Sequence, residues 1–217
     1  MAAAWRQERI LCGGNRRSLR RHRRFNWYGD IMKATLTAIL VVLLASVVPA
    51  QERPASIFEA ASAGDMAALR QFLAAGHFIT ETDTIGSTLL HAAAGSGQRA
   101  MAAYLLDQGL DPNAANSDGL TPLHITALHG DSAAASLLIS KGALVYARDN
   151  NQMTPLHLCA LSSNFAVAEV LWRSGADVND VTSTQWTPLR VSRLAHAPEF
   201  EAWLIQHGAK ENPEEVK

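Results

Sequence analysis

The chain is poor in cysteine, with two in 217 residues, Cys12 and Cys159. Cys12 lies in a start that reads as removable, which leaves Cys159 as the one thiol and excludes an internal disulfide. Cys159 sits beside Ala160 at a small-residue position of a helix, where a buried packing group is expected rather than a reactive thiol. Stability must therefore come from packing alone. Aromatic residues are also scarce, 6% against 48% hydrophobic overall, as suits an alanine- and leucine-rich helical array. No Gly-x-Ser-x-Gly elbow and no glycine-rich phosphate loop occurs; Gly95-Ser96-Gly97 reads as a turn between helices. No catalytic residue and no cofactor is expected.

Net charge is nearly absent, −1 at pH 7, but the balance hides an asymmetry. Residues 1–50 carry nine Lys/Arg against two Asp/Glu, or +7, and residues 51–217 carry ten against eighteen, or −8. An acidic body matches nucleic acid poorly, because that binding rests mainly on cations against phosphate. No nucleic-acid partner is expected.

Arginine pairs at 16–17, 20–21 and 23–24 precede Met32-Lys33, an apolar run from Ala34 to Val48, and Val48-Pro49-Ala50. A charged start, a short apolar core and a small-x-Ala-like end describe a secretory signal peptide over residues 32–50. Met32 would be a conventional start, which makes residues 1–31 a basic extension and a candidate over-read of the true start. Three alternatives stand beside a cleaved signal: an uncleaved anchor, a twin-arginine export signal and an organelle transit peptide. The run is short of the roughly 20 residues a span needs. For a signal and an anchor alike, arginines held inside place the remainder outside the cytoplasmic membrane. The expected location is periplasmic or secreted, or anchored to the inner membrane facing the periplasm. Residues 213–217 read as an acidic, solvated tail.

What the chain has in abundance is repetition. Glycine stands at 76, 109, 142, 175 and 208, five times at a 33-residue step. Four residues before each lie Phe72, Leu105, Leu138, Leu171 and Leu204, and three before lie Leu73, Leu106, Ile139, Trp172 and Ile205. A register held this long marks a repeat architecture. In residues 119–151 the unit is clearest. Thr121-Pro122 joins an N-cap to a proline at N1, and Thr154-Pro155 and Thr187-Pro188 repeat it. A first helix should run to about Leu128 and break at Gly130-Asp131. Asp131 then caps a second helix, as Asp65 could in the first copy, and Lys141-Gly142 ends it. Ser117-Asp118-Gly119 and Asn150-Asn151 are turn formers. Each unit reads helix, turn, helix, projecting turn, in copies at about 53–85, 86–118, 119–151, 152–184 and 185–212. Two short helices cannot bury their apolar faces alone, so neighbours must stack. Ala93-Ala94, Thr126-Ala127 and Cys159-Ala160 fall where first helices pack closely.

Thr-Pro-Leu-His at 121–124 and 154–157, Gly-Ala-Asp-Val-Asn at 175–179 and the 33-residue period closely resemble the ankyrin repeat. The resemblance spans roughly residues 53–212. It implies an all-α ankyrin-repeat solenoid of about five helix-turn-helix units, binding another protein through a preformed concave groove. With its signal-like start, the chain is similar to exported bacterial ankyrin-repeat proteins. Phe58 stands at the histidine position of the first copy, and Arg190 and Arg193 depart in the last, as suits end caps. Leu144-Val145-Tyr146 replaces the Asp-x-Asn of 111–113 and 177–179, which puts the usual loop hydrogen bonding in question there.

Eight histidines invite a metal reading. His91, His124 and His157 recur at the repeat step, and packed helices lie about 8–10 Å apart. Ligands of one zinc lie within about 4 Å of each other, so the ladder cannot share an ion and no metal site is expected. The resemblance gives these histidines a structural role, hydrogen-bonding backbone within and between units. It places partner contacts at the turn tips and first-helix ends. The tips are Ser117, Asp118, Leu120, Arg148, Asn150, Asn151, Met153, Ser183, Thr184 and Trp186. The helix ends are Ser96, Leu128, His129, Leu161, Ser162 and Leu194. Leu120, Met153 and Trp186 recur at 33 residues, as do Leu128, Leu161 and Leu194. Such rows mark contact surfaces if they do not pack against the next repeat's loop. The expected protein is a monomer that binds another protein. It would touch a membrane only through an uncleaved start. Three roles fit: an inhibitor or immunity protein against a secreted toxin or enzyme, a protective scaffold for an envelope enzyme, or a membrane-tethered adaptor.

Overall fold

The computed structural model describes residues 54–210. The basic start, the signal-like segment 32–50 and the acidic tail lie outside the described residues. The first helix of each pair is short: α1 (Ile57–Ala63), α3 (Leu89–Gly95), α5 (Pro122–His129), α7 (Pro155–Ser162) and α9 (Pro188–Leu194). Each is followed by a second: α2 (Met66–Ala74), α4 (Arg99–Asp107), α6 (Ser132–Ser140), α8 (Phe165–Arg173) and α10 (Pro198–Gln206). Among the described residues the only β pairing is a bridge between Thr82 and Thr88. The fold is an all-α repeat solenoid.

Local chemistry sets the ends of these helices. Thr121 and Thr154 are extended N-cap residues with proline following. Asp131 Oδ1 accepts the N–H groups of Ala133 and Ala134 at 3.0 Å, and Asp65 does the same for Ala67 and Ala68 at 2.9 Å. Gly142 closes the second helix at φ 95°, a left-handed conformation that L side chains resist.

First helices pack in the order α1, α3, α5, α7, α9, and α4, α6 and α8 form a row behind them. Leu105, Leu138, Leu171 and Leu204, four residues before their glycines, are fully buried. So are Ala93, Ala94, Thr126, Ala127, Cys159 and Ala160, whose small size lets neighbouring first helices approach. Burial pushes the Cys159 thiol up, as an inert packing group requires. At the last pair, Phe200 is buried and packs against Phe165 and Trp203.

The Asp-x-Asn loops tie units together. Asp111 accepts the Asn113 N–H at 2.8 Å; Asn113 then donates to the Gly142 carbonyl at 3.0 Å and accepts the Leu144 N–H at 2.8 Å. Asn179 repeats the bridge to Gly208 at 3.1 Å and Lys210 at 2.7 Å. Tyr146, at the equivalent place, makes no such bridge and is exposed. A phenol's single oxygen, held at the far end of a rigid ring, cannot take the places of the short amide's separate donor and acceptor atoms.

Candidate functional site

Each projecting turn is folded by one short polar side chain at its base. Asp83 Oδ1 accepts the N–H groups of Ile85 and Ser87 at 3.0 and 2.7 Å. Asn116 Oδ1 takes those of Asp118 and Leu120 at 3.0 Å, and Asp149 Oδ1 those of Asn151 and Met153 at 2.8 Å. Thr182 closes the last, accepting the Trp186 N–H at 3.1 Å. Asn116, Asp149 and Thr182 are buried, so these are structural turns of the kind Asx residues favour. Gly119, at φ 78°, has no room for a side chain: a Cβ there would stand 2.7 Å from the Asn150 nitrogen.

The histidine ladder holds these turns in place. His124 Nδ1 accepts the Thr121 N–H at 3.1 Å, the returning half of a capping box with histidine where Glu or Gln is usual. Its Nε2–H donates to the Met153 carbonyl at 3.1 Å. His91 spans Thr88 and the Leu120 carbonyl, and His157 spans Thr154 and the Trp186 carbonyl, in the same way. A nitrogen that accepts a backbone N–H cannot carry a proton, so the network assigns neutral rings protonated at Nε2. Burial lowers the pKa of all three, against a smaller raising effect of the accepting carbonyls. Among the described residues no group of three His, Cys, Asp or Glu is placed to hold a metal ion.

Between turns and first helices lies a trough with two clefts. One, of about 320 Å³, is lined by Phe58, Glu59, Ser62, Asp83, Ser87, His91, Ala92 and Ile125. The other, of about 470 Å³, is lined by Asp118, Leu120, Leu128, Asp149, Asn150, Asn151, Met153, Leu158 and Leu161. Asp83, Ser87 and Ala92 on the first cleft and Asp149, Met153 and Leu158 on the second take the same places two units apart, so the clefts are two windows on one face of the stack. Gly95 stands in the leucine row of 128, 161 and 194, and the Ile125 Cγ2 lies 3.1 Å from where a Cβ on Gly95 would stand.

The second cleft thus gathers seven of the residues the sequence pointed to: Asp118, Leu120, Leu128, Asn150, Asn151, Met153 and Leu161. Their exposure differs. Leu161 and Leu194 are 52% and 55% exposed, and Trp186 is 37% exposed beneath the Arg190 guanidinium. Leu120, Leu128 and Met153 are half-buried against the core. His129 is exposed at the end of α5. Ser117, Asn150 and Arg148 are engaged within the chain. Ser117 N–H donates to the Ile85 carbonyl at 2.8 Å, and Asn150 N–H to that of Asp118 at 3.0 Å. The Asn150 side chain donates to the Ser117 carbonyl at 2.8 Å. Arg148 donates to the carbonyls of Gln152 and Val181 at 3.0 and 2.8 Å and pairs with Asp180. Glu59, Asp83, Ile125, Asp149 and Leu158 line the trough without having been singled out from sequence. The 33-residue step through Asp83, Asn116, Asp149 and Thr182 was the signal that could have found the turn bases.

Residues 57–149 and 108–182 match the family model described as Ankyrin repeats (3 copies). The matches cover more than half of the chain, which belongs to the ankyrin-repeat family. Ankyrin repeats are a protein–protein interaction module, and the family is generally a scaffold without catalysis. Compared with curated proteins, the chain finds no match.

Proposed function

We propose that the chain is an exported scaffold that holds one other protein in the trough between its projecting turns and first helices, and that it carries out no chemistry itself. The observation that carries this reading is the second cleft. There Leu161 stands 52% exposed beside the half-buried Leu120, Leu128 and Met153. An apolar side chain exposed above a preformed cleft loses little freedom when it is covered, so a partner's anchor gains most of the burial. Export is supported by Lys33, the apolar run 34–48 and Val48-Pro49-Ala50, and a mature protein with Gln51 at its N-terminus would bear it out. The acidic body disfavours nucleic acid. Inhibition of a secreted toxin or enzyme and protection of an envelope enzyme both fit, as does a tethered adaptor if the apolar run stays attached.

The test is a pull-down from an envelope fraction with the tagged protein beside its Leu161→Asp variant, read by mass spectrometry. A single stoichiometric partner retained by the first and lost by the second is the expected result. A partner retained equally by both would move the binding surface elsewhere.

A further inference from the structure

Up to residue 147 the charges of this surface are sorted by face. Between residues 54 and 147 the only Lys and Arg are Arg70 on α2, Arg99 on α4 and Lys141 at the end of α6, all on the second-helix row. Over the same stretch the first helices and projecting turns carry carboxylates and no Lys or Arg. Three of those carboxylates border the trough: Glu59 and Asp83 on the first cleft and Asp118 on the second. All three are exposed, and among the described residues none has a Lys or Arg within ion-pair distance. On the other face Lys141 is paired with Asp107 at 2.7 Å. The histidine on the first cleft, His91, is held neutral by the Thr88 N–H at its Nδ1 and offsets nothing. Unpaired charge of one sign beside an apolar floor selects for the opposite charge on whatever covers it.

We infer that the trough of the first four units accepts a cationic segment of a partner protein, with Lys or Arg side chains on Glu59, Asp83 and Asp118 and an apolar side chain between Leu128 and Leu161. This rests on the trough being the binding surface. Three helix-to-helix steps of about 10 Å separate α1 from α7, a distance an extended chain crosses in about nine residues.

The experiment pans a random dodecapeptide phage library on the purified full-length protein. Selected peptides are then measured by fluorescence polarisation on wild type, on the triple variant Glu59→Gln/Asp83→Asn/Asp118→Asn, and on Leu161→Asp. The triple variant keeps its turns, because Asn116 folds the next turn through the same amide oxygen and Gln at 59 still accepts the Ala55 N–H. The expected peptides combine Lys or Arg with Leu or aromatic residues, bind about tenfold more weakly to the triple variant, and weaken further with salt. Neutral or acidic peptides lost with Leu161→Asp but unchanged in the triple variant would overturn the cationic assignment and leave the trough as the site. Peptides indifferent to both variants, or no enriched peptide, would overturn the trough as well.

Discussion

At the scale of single residues, the ladder histidines carry an acid sensitivity. In the unfolded chain each takes up a proton near its ordinary value of 6.5, while in the fold burial and the threonine N–H at Nδ1 keep it neutral to lower pH. Below 6.5 the unfolded chain therefore holds more protons, and acid draws the equilibrium toward it. Stability should be complete above that value and fall below it, by at most about 1.4 kcal/mol per pH unit for each histidine. Urea midpoints at pH 7.5 and 5.5 test this, and a midpoint that does not move would sink it. His124→Gln, which keeps a capping side chain without a titration, should shallow the slope. Gly142 gives a second residue-scale test. Nothing lies within 4 Å of a Cβ built there, so only its φ of 95° resists substitution. Gly142→Val should cost more than about 1 kcal/mol, and Gly142→Ala should lose stability for the same reason. An alanine variant as stable as wild type would show that conformation is not the cause.

Among elements, the loop bridge is the informative part. Asn113 and Asn179 tie their units to the next through paired amide bonds, and Tyr146 leaves that tie unmade between the third unit and the fourth. The double substitution Leu144→Asp/Tyr146→Asn should restore it and add about 1 kcal/mol, the worth of a net hydrogen bond or two. Thermal denaturation of the variant would show a higher midpoint; a lower one would mean that Leu144 and Tyr146 are themselves packing groups. The sequence exposed this element before the structure did, because the departure from Asp-x-Asn falls within three residues of one loop. It marked the turn bases Asn116, Asp149 and Thr182 only by their 33-residue step, because their side chains differ in type.

For the whole molecule, stability is close to a sum over neighbouring units, so one weak junction sets where the stack opens. Tip-to-tip backbone bonds join Ile85 to Ser117 and Asp118 to Asn150, whereas among the described residues no backbone–backbone bond joins the turn at 150–152 to the one at 183–185. Arg148 spans that gap instead, through Val181 and Asp180. Arg148→Ala should speed amide exchange at Thr182 and Trp186 by about fivefold and leave Ser117 unchanged. Equal acceleration at both tips would point to general loosening.

By itself the sequence determined the period, the helix ends and the family. Each of these depends on bonds made within a few residues: Asp131 to Ala133, Thr121 to His124, Gly142 to its own φ. Only the tertiary structure decided which marked residues a partner can reach. Leu128 and Leu161 occupy one position of the repeat and read alike along the chain. Leu128 is half-buried against the core, while Leu161 stands open above the same cleft. Arg148 likewise reads as a free tip until its acceptors, 32 and 33 residues on, are beside it. Exposure depends on neighbours one repeat away, and their side chains differ from unit to unit although the backbone step does not.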